Sequence, residues 1–494
     1  RGDELLGFLL RVDGEDVLAV EDAIARLLSN PDEARRMGDA GRQRTASRFT
    51  SDQRAALIRR VIDGRAEGES ALPDPSVGRV GEPSAAGPRV SPPARRGLRI
   101  LMYAAYLQPE YSGAALQALT LAAELRRRGH HVSFVTNRWP GLCDTAVVEG
   151  FPVRRLEPGR LRKHREFRLW YYLVRHVWAH RTDIDIIHSH GAYYTHAFVG
   201  PLARALGLRS LVKASLANDD LEDLSRPVIG SIHRAMLRWV DACVGTSADL
   251  VGEFRAGGLK EARIHHVSNG VDTGRFRAVP ADQRSALRRA LALPEAPRIV
   301  LYVGVLDRRK NIQWLAEQWI EHAAFGTGAL LLAVGPQGRD DADGSLRARL
   351  AELADAHPER FALHDFRADI ESFYRCADVL VLPSSREGLP NVVLEAMACS
   401  LPCVAARASG SRELIVDGET GFTYEPGDVD ALGNALQRCL GPEGPAMGAN
   451  ARRLAEQRYS ISRVADAYEA LYARVLSSGP VATRRSAEPR ETPP

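Results

Sequence analysis

Short apolar runs alternate with amphipathic stretches along most of this chain. From residue 98 onward, runs of Val, Ile, Leu and Ala without polar alternation predict buried strands, because strands of a parallel sheet are covered on both faces. Apolar residues spaced three and four apart predict the helices between them, among them 114–128 and 460–476. The predicted strands are 98–103, 132–136, 184–188, 211–213, 242–246, 299–303, 330–334, 361–364, 379–382, 403–405 and 422–424.

These elements form two successive series of strands and helices. The first ends at Asn269-Gly270-Val271-Asp272, and the second begins at Ile299. Strands that alternate with helices predict parallel sheets covered on both faces, so the fold class is α/β with two doubly wound, Rossmann-like domains. Such sheets bind ligands at the carboxyl ends of their strands, and the cleft between the two domains is therefore the predicted site.

The rest of the chain has a different composition. Gly, Pro and Ser dominate residues 63–97, which predicts a flexible linker, and Pro, Arg and Glu predict a disordered tail at 478–494. Residues 1–62 contain an internal repeat, because 37–42 (MGDAGR) aligns with 447–452 (MGANAR). We interpret residues 1–62 as the partial duplicate of a C-terminal domain tail, without a ligand site of its own.

The stretch 379–395 organises the second series. It predicts a strand, a tight loop and the start of a helix, which together place free backbone N–H groups and a helix dipole where a phosphate can bind. Asn391, or Ser385 further back, is expected to cap the helix. Glu387 and Glu395 flank the helix start, which should favour their ionised forms and suits hydrogen bonds to sugar and ribose hydroxyls rather than acid catalysis. The alternative is a helix-capping pair.

Other candidate residues follow neighbouring strands. Arg309 and Lys310, after the strand at 299–303, can neutralise a diphosphate, although an exposed basic turn fits the spacing equally well. His188 and His190 end another strand, are expected to point to opposite faces, and can be either core or site residues. Further ligands at close spacing are lacking, so no zinc site is predicted. Two D-x-D patterns, at 183–185 and 341–343, are too weak to predict a metal site.

Composition narrows the cellular setting. The 494-residue chain has a formal net charge of +4, and only four of its 66 basic residues are Lys, which fits a compositional bias rather than nucleic-acid binding. Six Cys without C-x-x-C spacing indicate reduced core residues of a cytoplasmic protein. No apolar run is long enough to span a membrane, and residue 1 is Arg without a following signal-peptide pattern, so we expect a fragment of a longer chain.

One basic segment leaves two interpretations open. Residues 154–181 combine many Arg with aromatic residues at helical spacing. Such a helix can lie on an anionic membrane surface, and 160–178 would then make a peripheral contact at the inner face of the membrane. The alternative is a core helix of the first domain that follows a charged loop.

Taken together, these motifs resemble those of the family-4 retaining glycosyltransferases of the GT-B fold, over residues 98–476. The stretch 387–398 (EGLPNVVLEAMA) looks like that family's E-x7-E signature, and it continues as 401–405 (LPCVA), Gly410, Glu413-Leu414 and 417–422 (DGETGF). Asn269-Gly270-Val271-Asp272 matches the domain-junction motif. Gly113 falls in the family's donor-facing glycine loop and His190 at its sugar-contacting histidine. Val305 stands where the family often has an Arg, which removes one diphosphate contact.

The resemblance implies transfer of a sugar, of hexosyltransferase type, from a UDP- or GDP-linked donor with retention at the anomeric carbon and without a metal. Residues 98–277 would be the acceptor-side domain, 278–458 the nucleotide-sugar domain and 459–477 a closing helix that packs back on the first. The acceptor would be a glycan, a lipid-linked molecule or a small molecule. The leaving phosphate would take the proton from the acceptor. The implied catalytic residues are Glu387, His190 and Lys310; the implied donor-binding residues are Gly113, Arg309, Lys310, Gly388, Leu389, Pro390, Asn391, Val392 and Glu395.

Within that set, Lys310 and Arg309 would hold the diphosphate, Glu395 the ribose, and Glu387 the donor sugar. Two other functions remain open. A sugar-nucleotide epimerase shares the two-domain architecture, although the E-x7-E stretch argues against it. A non-catalytic relative that binds a sugar nucleotide or a partner enzyme is consistent with Val305 and with the N-terminal fragment.

Overall fold

The computed structural model describes residues 97–477, except 111, 158–164, 218, 295–297, 323–324, 326–327 and 339–340. The predictions for 1–62, for the linker up to residue 96 and for 478–494 lie outside the described residues. All described residues belong to one compact unit, Pro93–Pro494. Among them, no helix combines the length and apolar character that crossing a membrane requires.

The first series of elements forms one sheet and the helices on its two faces. Its elements are β1 Arg99–Ala104, α1 Gly113–Arg127, β2 His131–Asn137, β3 Thr145–Val148, β4 Phe151–Leu156, α2 Arg165–Ala179, β5 Ile186–His190, α3 Tyr194–Ala197, α4 Val199–Ala205, β6 Arg209–Ala214, α5 Pro227–Leu237, β7 Ala242–Gly245, α6 Ala248–Ala256 and β8 Ile264–His266. The strand order is β3-β4-β2-β1-β5-β6-β7-β8, and only β3 runs antiparallel to its neighbour.

The second series forms a six-stranded parallel sheet with the order β11-β10-β9-β12-β13-β14. Its elements are α7 Ala281–Ala290, β9 Arg298–Val303, α8 Ile312–Glu321, β10 Ala329–Val334, α9 Ser345–Ala356, β11 Phe361–His364, α10 Ile370–Cys376, β12 Val379–Leu382, α11 Asn391–Ala398, β13 Cys403–Ala406, α12 Ser409–Leu414, β14 Gly421–Tyr424, α13 Val429–Leu440 and α14 Gly444–Leu454; α15 Ile461–Ser477 follows. Two Rossmann-like α/β sheets are therefore present, as predicted.

Each sheet has a point at which the strand order reverses. In the first sheet the chain moves outward from β1 and then returns to β5 on the other side, and in the second it moves outward from β9 and returns to β12. Ligands of doubly wound sheets bind outside the carboxyl ends of the strands at such points. The loops that follow β1, β5, β9 and β12 are therefore the ones to inspect.

The last helix packs on the first sheet rather than on the second. Tyr468, Leu471 and Tyr472 of α15 are buried in the same core cluster as α1 and the inner strands of the first sheet. Arg128, just after α1, donates to Glu469 at 2.6 Å, and His130 lies 2.8 Å from the same carboxylate. The chain thus crosses from the second sheet back to the first.

The sequence missed three strands and misplaced a fourth. The strands β3, β4 and β8 were not predicted, because exposed or charged residues interrupt their apolar pattern. The strand predicted at 184–188 lies at Ile186–His190 instead, since the carboxylate of Asp185 accepts a hydrogen bond from the backbone N–H of Arg99 before the strand begins. His190 therefore belongs to the strand rather than to the loop after it.

Candidate active site

The loop between β12 and α11 ends in a helix start that no side chain caps. Pro390 precedes the helix and makes no side-chain capping bond, and Asn391 is the first helical residue rather than the cap. The predicted cap by Asn391 or Ser385 is therefore wrong. The first N–H groups of a helix have no partner within the helix, so this start keeps the positive end of its dipole available to an anion.

A charged cluster lies between this loop and the turn that follows β9. Lys310 Nζ lies 2.5 Å from Glu387 Oε1, and Arg309 Nη1 lies 4.0 Å from the same oxygen. Arg309 also donates to the backbone carbonyl of Arg386 at 2.9 Å, and Asp307 fixes the turn by accepting from the backbone N–H of Arg309. The structure thus brings Glu387, Arg309 and Lys310 together, and the basic turn faces the site.

The other acid of the signature, Glu395, lies one turn into α11. It accepts a 2.7 Å hydrogen bond from the Tyr374 hydroxyl. Removal of its carboxyl group from water raises the pKa of Glu395 to about 7, although the Tyr374 bond and the charge of Arg275 act in the opposite direction. The expectation that the helix start favours the ionised form is thus wrong for Glu395, whose pKa is raised rather than lowered. Among the described residues, no hydrogen bond joins it to the Glu387–Lys310 pair.

Main-chain contact joins the two domains at Gly388. A Cβ atom added there would lie 1.7 Å from the carbonyl oxygen of Ser215, which follows β6 in the first domain. A Cβ on Gly410 would lie 1.8 Å from the carbonyl oxygen of Gly388 itself. Because backbone atoms cannot rotate away as a side chain can, both positions require glycine. The contact at Gly388 allows the two domains to approach closely, and the contact at Gly410 lies within the second domain.

Asn391 makes a second bridge across the cleft. Its side chain donates to the carbonyl oxygen of Gly113 at 3.0 Å and accepts from Asn269 Nδ2 at 2.9 Å. Asn269 Nδ2 also lies 2.8 Å from the carbonyl oxygen of Leu389. Gly113 is the first residue of α1, whose cap is Ser112. The predicted residues Gly113, Leu389 and Asn391 are therefore neighbours.

His190 reaches the cleft from the end of β5 as a buried imidazole. Its ring stacks on His188 at 4.2 Å, so the two histidines share a face of the sheet; the expectation of opposite faces is wrong because residues two apart in a strand point the same way. Neither ring nitrogen of His190 has a hydrogen-bond partner among the described residues. Burial, together with the positive charges nearby, holds the pKa of His190 well below its usual range.

Further polar residues at this edge were not predicted. Tyr193 donates to Asp219 at 2.6 Å, and the same carboxylate lies 3.8 Å from Arg386 in the loop between β12 and α11. Asp220 accepts from the backbone N–H of Ser215 at 2.6 Å, and burial raises its pKa to about 7. Two consecutive acids in the loop after the predicted strand 211–213 were the available signal.

The D-x-D patterns serve local structure. The carboxylate of Asp341 accepts from the backbone N–H groups of Leu346 and Arg347 at the start of α9. Asp185 pairs with Arg99 at 2.9 Å. Within the part of the chain that the structure describes, no group of three or more His, Cys, Asp or Glu residues could hold a metal ion.

Val305 occupies the turn after β9. Its carbonyl oxygen accepts a 3.2 Å hydrogen bond from the Tyr302 hydroxyl. The guanidinium of Arg309, four residues further on, donates to the carbonyl oxygen of Arg386 in the loop between β12 and α11 at 2.9 Å. A basic group therefore faces the loop even though Val305 supplies none.

Comparisons with known proteins cover both sheets. Residues 297–441 match the model of the glycosyl transferases group 1, and residues 112–270 match that of the glycosyl transferase 4-like domain. Residues 12–60 match a further model described as glycosyl transferase-like.

Two curated relatives are D-inositol 3-phosphate glycosyltransferases. The one from Streptomyces scabiei is 30% identical over 417 residues, which cover 77% of this chain and 92% of that protein. The one from Acidothermus cellulolyticus is 34% identical over 276 residues, which cover 52% of this chain and 60% of that protein.

Similar solved structures share the fold. A sucrose-phosphate synthase from Thermosynechococcus elongatus superposes with a TM-score of 0.64 at 23% identity, over 77% of this chain and 100% of that one. Anabaena HepE, crystallised with UDP-glucose, superposes with a TM-score of 0.61 at 20% identity, over 76% of this chain and 99% of that one. Both comparisons show the GT-B arrangement of two Rossmann-like domains.

Proposed function

Since the chain belongs to the group 1 glycosyl transferases, we propose that it transfers a sugar from a nucleotide diphosphate sugar to an acceptor hydroxyl, with retention and without a metal. The observation that carries this proposal is the cluster of Glu387, Arg309 and Lys310 beside the uncapped start of α11. A cationic turn and free helix amides bind a diphosphate, and a carboxylate beside them binds sugar hydroxyls.

Each residue of this wall has a role in the proposal. Lys310 and Arg309 hold the diphosphate, where negative charge builds up as the leaving group departs. Glu387 and the backbone N–H groups of Gly388, Leu389, Asn391 and Val392 hold the donor sugar. Pro390 shapes the loop without donating, because proline has no backbone N–H. Glu395 binds the ribose diol. His190 contacts the sugar from the first domain, where its two unpartnered ring nitrogens remain available for hydroxyl groups.

The transfer step needs no separate base. The bond between the anomeric carbon and the diphosphate oxygen breaks, and the acceptor oxygen forms a bond to the same face of that carbon. The acceptor proton passes to the departing diphosphate, whose new charge Lys310 and Arg309 stabilise. Because Glu387 already holds the ammonium of Lys310 in place, this side chain needs to move little when negative charge builds up on the departing diphosphate.

The donor is proposed to carry UDP or GDP, and UDP is the first to test because HepE was crystallised with UDP-glucose. The acceptor is proposed to be a glycan, a lipid-linked molecule or a small molecule. The D-inositol 3-phosphate named for the relatives is one small molecule to include. All six cysteines are free thiols, which fits the reducing cytoplasm as the compartment.

The domain organisation and the membrane contact are parts of the same proposal. Residues 98–277 form the acceptor side, 278–458 the nucleotide-sugar side and 459–477 the closing helix, while 1–62 are a partial duplicate of a C-terminal domain tail. The basic, aromatic segment 160–178 is proposed to contact an anionic membrane peripherally.

A donor panel tests the proposal. The protein is incubated with UDP- and GDP-sugars, with and without acceptors, and release of the nucleoside diphosphate is measured. One donor should be hydrolysed slowly and consumed faster with an acceptor, EDTA should leave the rate unchanged, and NMR should find the anomeric configuration retained. Conversion of the donor sugar would indicate an epimerase, and binding without turnover a non-catalytic relative; either would contradict the proposal.

Matched variants assign the site. Lys310→Met and Glu387→Gln should each lower kcat by about 100-fold or more, as expected when a group that stabilises the transition state is lost. Lys260→Met and Glu359→Gln, at exposed positions away from the cleft, are the controls and should retain the wild-type rate. Wild-type transfer by the Lys310 and Glu387 variants would contradict the site assignment.

A further inference from the structure

A cavity separate from the cleft lies in the first domain, on the side of the sheet that α2 covers. It has a volume of about 1290 Å³ and lies between α2 and the sheet face of β2 and β4. These strands are at the outer edge of the sheet, whereas the cleft residues follow β1, β5 and β6. The donor site described above therefore does not account for this cavity.

The floor of the cavity is apolar and its rim is basic. Leu101 and Leu156 line it, are almost completely buried, and belong to the same core cluster as the buried leucines of α2. Four arginines from both walls stand at its edge, namely Arg138, Arg154, Arg168 and Arg175. Arg155 also lines it, but its guanidinium is buried and donates to the carbonyl oxygens of Cys143 and Gln108. An apolar floor beneath a cationic rim is the arrangement that an amphiphile with an anionic head requires.

The acids of the cavity neutralise only part of this rim. Asp144 pairs with Arg138 at 2.8 Å and with Arg154 at 3.3 Å, while Glu157 also pairs with Arg138. The remaining acid, Asp183, lies 3.8 Å from Arg99.

The two arginines of α2 have no such partner. Arg168 approaches only the ring and hydroxyl of Tyr172, and neither Arg168 nor Arg175 has a carboxylate partner among the described residues. Two exposed guanidinium groups thus stand at the edge of the cavity without a carboxylate to offset their charge. Burial, with the positive charges of His180 and Arg154, also lowers the pKa of His176 in the same wall to about 4.

The outer face of α2 is unusually apolar. Phe167, Tyr171 and Trp178 are 65%, 61% and 56% exposed, and they are the three most exposed aromatic side chains of the described residues. Their spacing of four and seven residues places them on one face of the helix, beside the face that carries Arg168 and Arg175. Aromatic rings next to arginines are typical of helices that lie in the interface of an anionic bilayer.

We propose that α2 seats the protein on an anionic membrane and that the arginine-rimmed cavity takes the phosphate-bearing head of a lipid, with its apolar floor against the proximal chain. The occupant is a phospholipid with a net negative charge, because the cavity combines uncompensated arginines with an apolar floor. This inference gives the proposed peripheral contact a defined binding site. It is independent of the chemistry in the cleft.

Vesicle sedimentation with the full chain tests the proposal. Vesicles of equal parts phosphatidylcholine and phosphatidylglycerol should bind the protein, vesicles of phosphatidylcholine alone should not, and 500 mM salt should release most of it. Arg168→Ser/Arg175→Ser should weaken binding about tenfold, and Phe167→Ser/Tyr171→Ser should do the same. Arg168→Lys/Arg175→Lys, which keeps both charges, should retain most of the binding.

Matched controls lie in the second domain. Arg453→Ser/Arg458→Ser removes two exposed arginines and Phe366→Ser one exposed aromatic ring, and both variants should bind as the wild type does. Equal losses in the controls, or equal binding to neutral vesicles, would overturn the proposal. Binding of millimolar glycerol phosphate by the protein, together with no sedimentation on the anionic vesicles, would show that the cavity takes a free phosphate ester, which would overturn the choice of a lipid.

Two measurements keep the result interpretable. Thermal unfolding verifies that each variant folds. If a double variant does not fold, the salt dependence of wild-type binding to the vesicles still tests the proposal. Donor hydrolysis without vesicles should be unchanged in the α2 variants. Failure of vesicle binding with intact hydrolysis therefore contradicts only this inference, whereas the absence of turnover contradicts only the proposed transfer.

Discussion

The two walls of the cleft differ in their electrostatic character. The second-domain wall, formed by Arg309, Lys310, Glu387 and the start of α11, is charged, and its groups pair directly. The first-domain wall presents imidazoles at the end of β5, and burial lowers the pKa of His188 to about 3 and that of His190 well below its usual range. One wall therefore suits a charged diphosphate, whereas the other offers neutral hydrogen-bonding groups to hydroxyls.

A buried lysine accentuates the difference. Lys213 of β6 is paired in register with His190 and lies 6.0 Å from the ring of Tyr468. Burial lowers the pKa of Lys213 to about 7, so even this residue is partly neutral at physiological pH. By contrast, Lys310 has a carboxylate partner at 2.5 Å. Both walls contain basic residues, but only the second one places them beside acids.

The largest effect should come from the contact that fixes the distance between the walls. In Gly388→Ala the new Cβ would overlap the Ser215 carbonyl, so one wall must move. A displacement of about 1 Å at a reacting centre lowers the rate by about 100-fold, and we expect a loss of this size in kcat.

The control for this change is Gly252→Ala in α6, where a Cβ meets no atom within 4 Å. It should leave kcat unchanged and stabilise the protein by about 0.5–1 kcal/mol, because alanine is the better helix former. A Gly388→Ala enzyme with wild-type kcat would show that the walls do not need this contact.

An intermediate effect should appear as a pH dependence of donor binding by the second-domain wall. Glu395 has a pKa raised to about 7, so it is protonated below that pH and ionised above it. The ionised form is the better acceptor for ribose hydroxyls, and donor affinity should therefore rise about tenfold between pH 6 and 8. Isothermal titration at several pH values measures this change.

Glu395→Gln is the control, because it keeps the shape but does not titrate; its donor affinity should not vary with pH. Stability gives a second readout. The pKa of the Glu395 carboxyl group is higher in the folded protein than in the unfolded chain. It therefore stabilises the fold fully at pH values below the pKa of the unfolded chain, and this contribution is lost as pH rises through about 7. The free energy of unfolding of the wild type should thus fall relative to that of Glu395→Gln between pH 5 and 8. Identical pH profiles of the two proteins would contradict the assignment.

The smallest effect should come from the support behind the first wall. Tyr472 of α15 makes a 2.8 Å hydrogen bond with His188 Nδ1, and His188 stacks on His190. Tyr472→Phe should lower the free energy of unfolding by about 1 kcal/mol and change kcat by less than threefold, because the imidazoles stay packed.

Tyr468→Phe is the matched control, since the buried hydroxyl of Tyr468 has no partner among the described residues; its loss should be nearly neutral. Chemical denaturation and initial rates measure both variants. A 100-fold loss of kcat in Tyr472→Phe would mean that α15 takes part in catalysis through the histidine pair rather than packing behind it.

Strand prediction succeeded where burial was continuous. The predicted strands 330–334 and 379–382 match β10 and β12, all of whose residues are buried, because unbroken apolar runs have few alternatives in a parallel sheet. The pair β3 and β4 was missed, since exposed positions interrupt β3 and Pro152, Arg154 and Arg155 interrupt β4. The error at the start of α11 has a different origin, because the Asn391 side chain bonds to the first domain instead of capping its own helix.

By itself, the sequence determined the two series of strands and helices, the loop and helix start at 383–398, and the residue types present there. These properties follow from patterns within a few residues. Only the tertiary structure decided that Lys310 pairs with Glu387, 77 residues away, and that Asn391 bonds to Gly113, 278 residues away. It also decided that the pKa of Glu395 is raised to about 7. Ion pairing and loss of water depend on which distant segments pack together, and local periodicity contains no information about that packing.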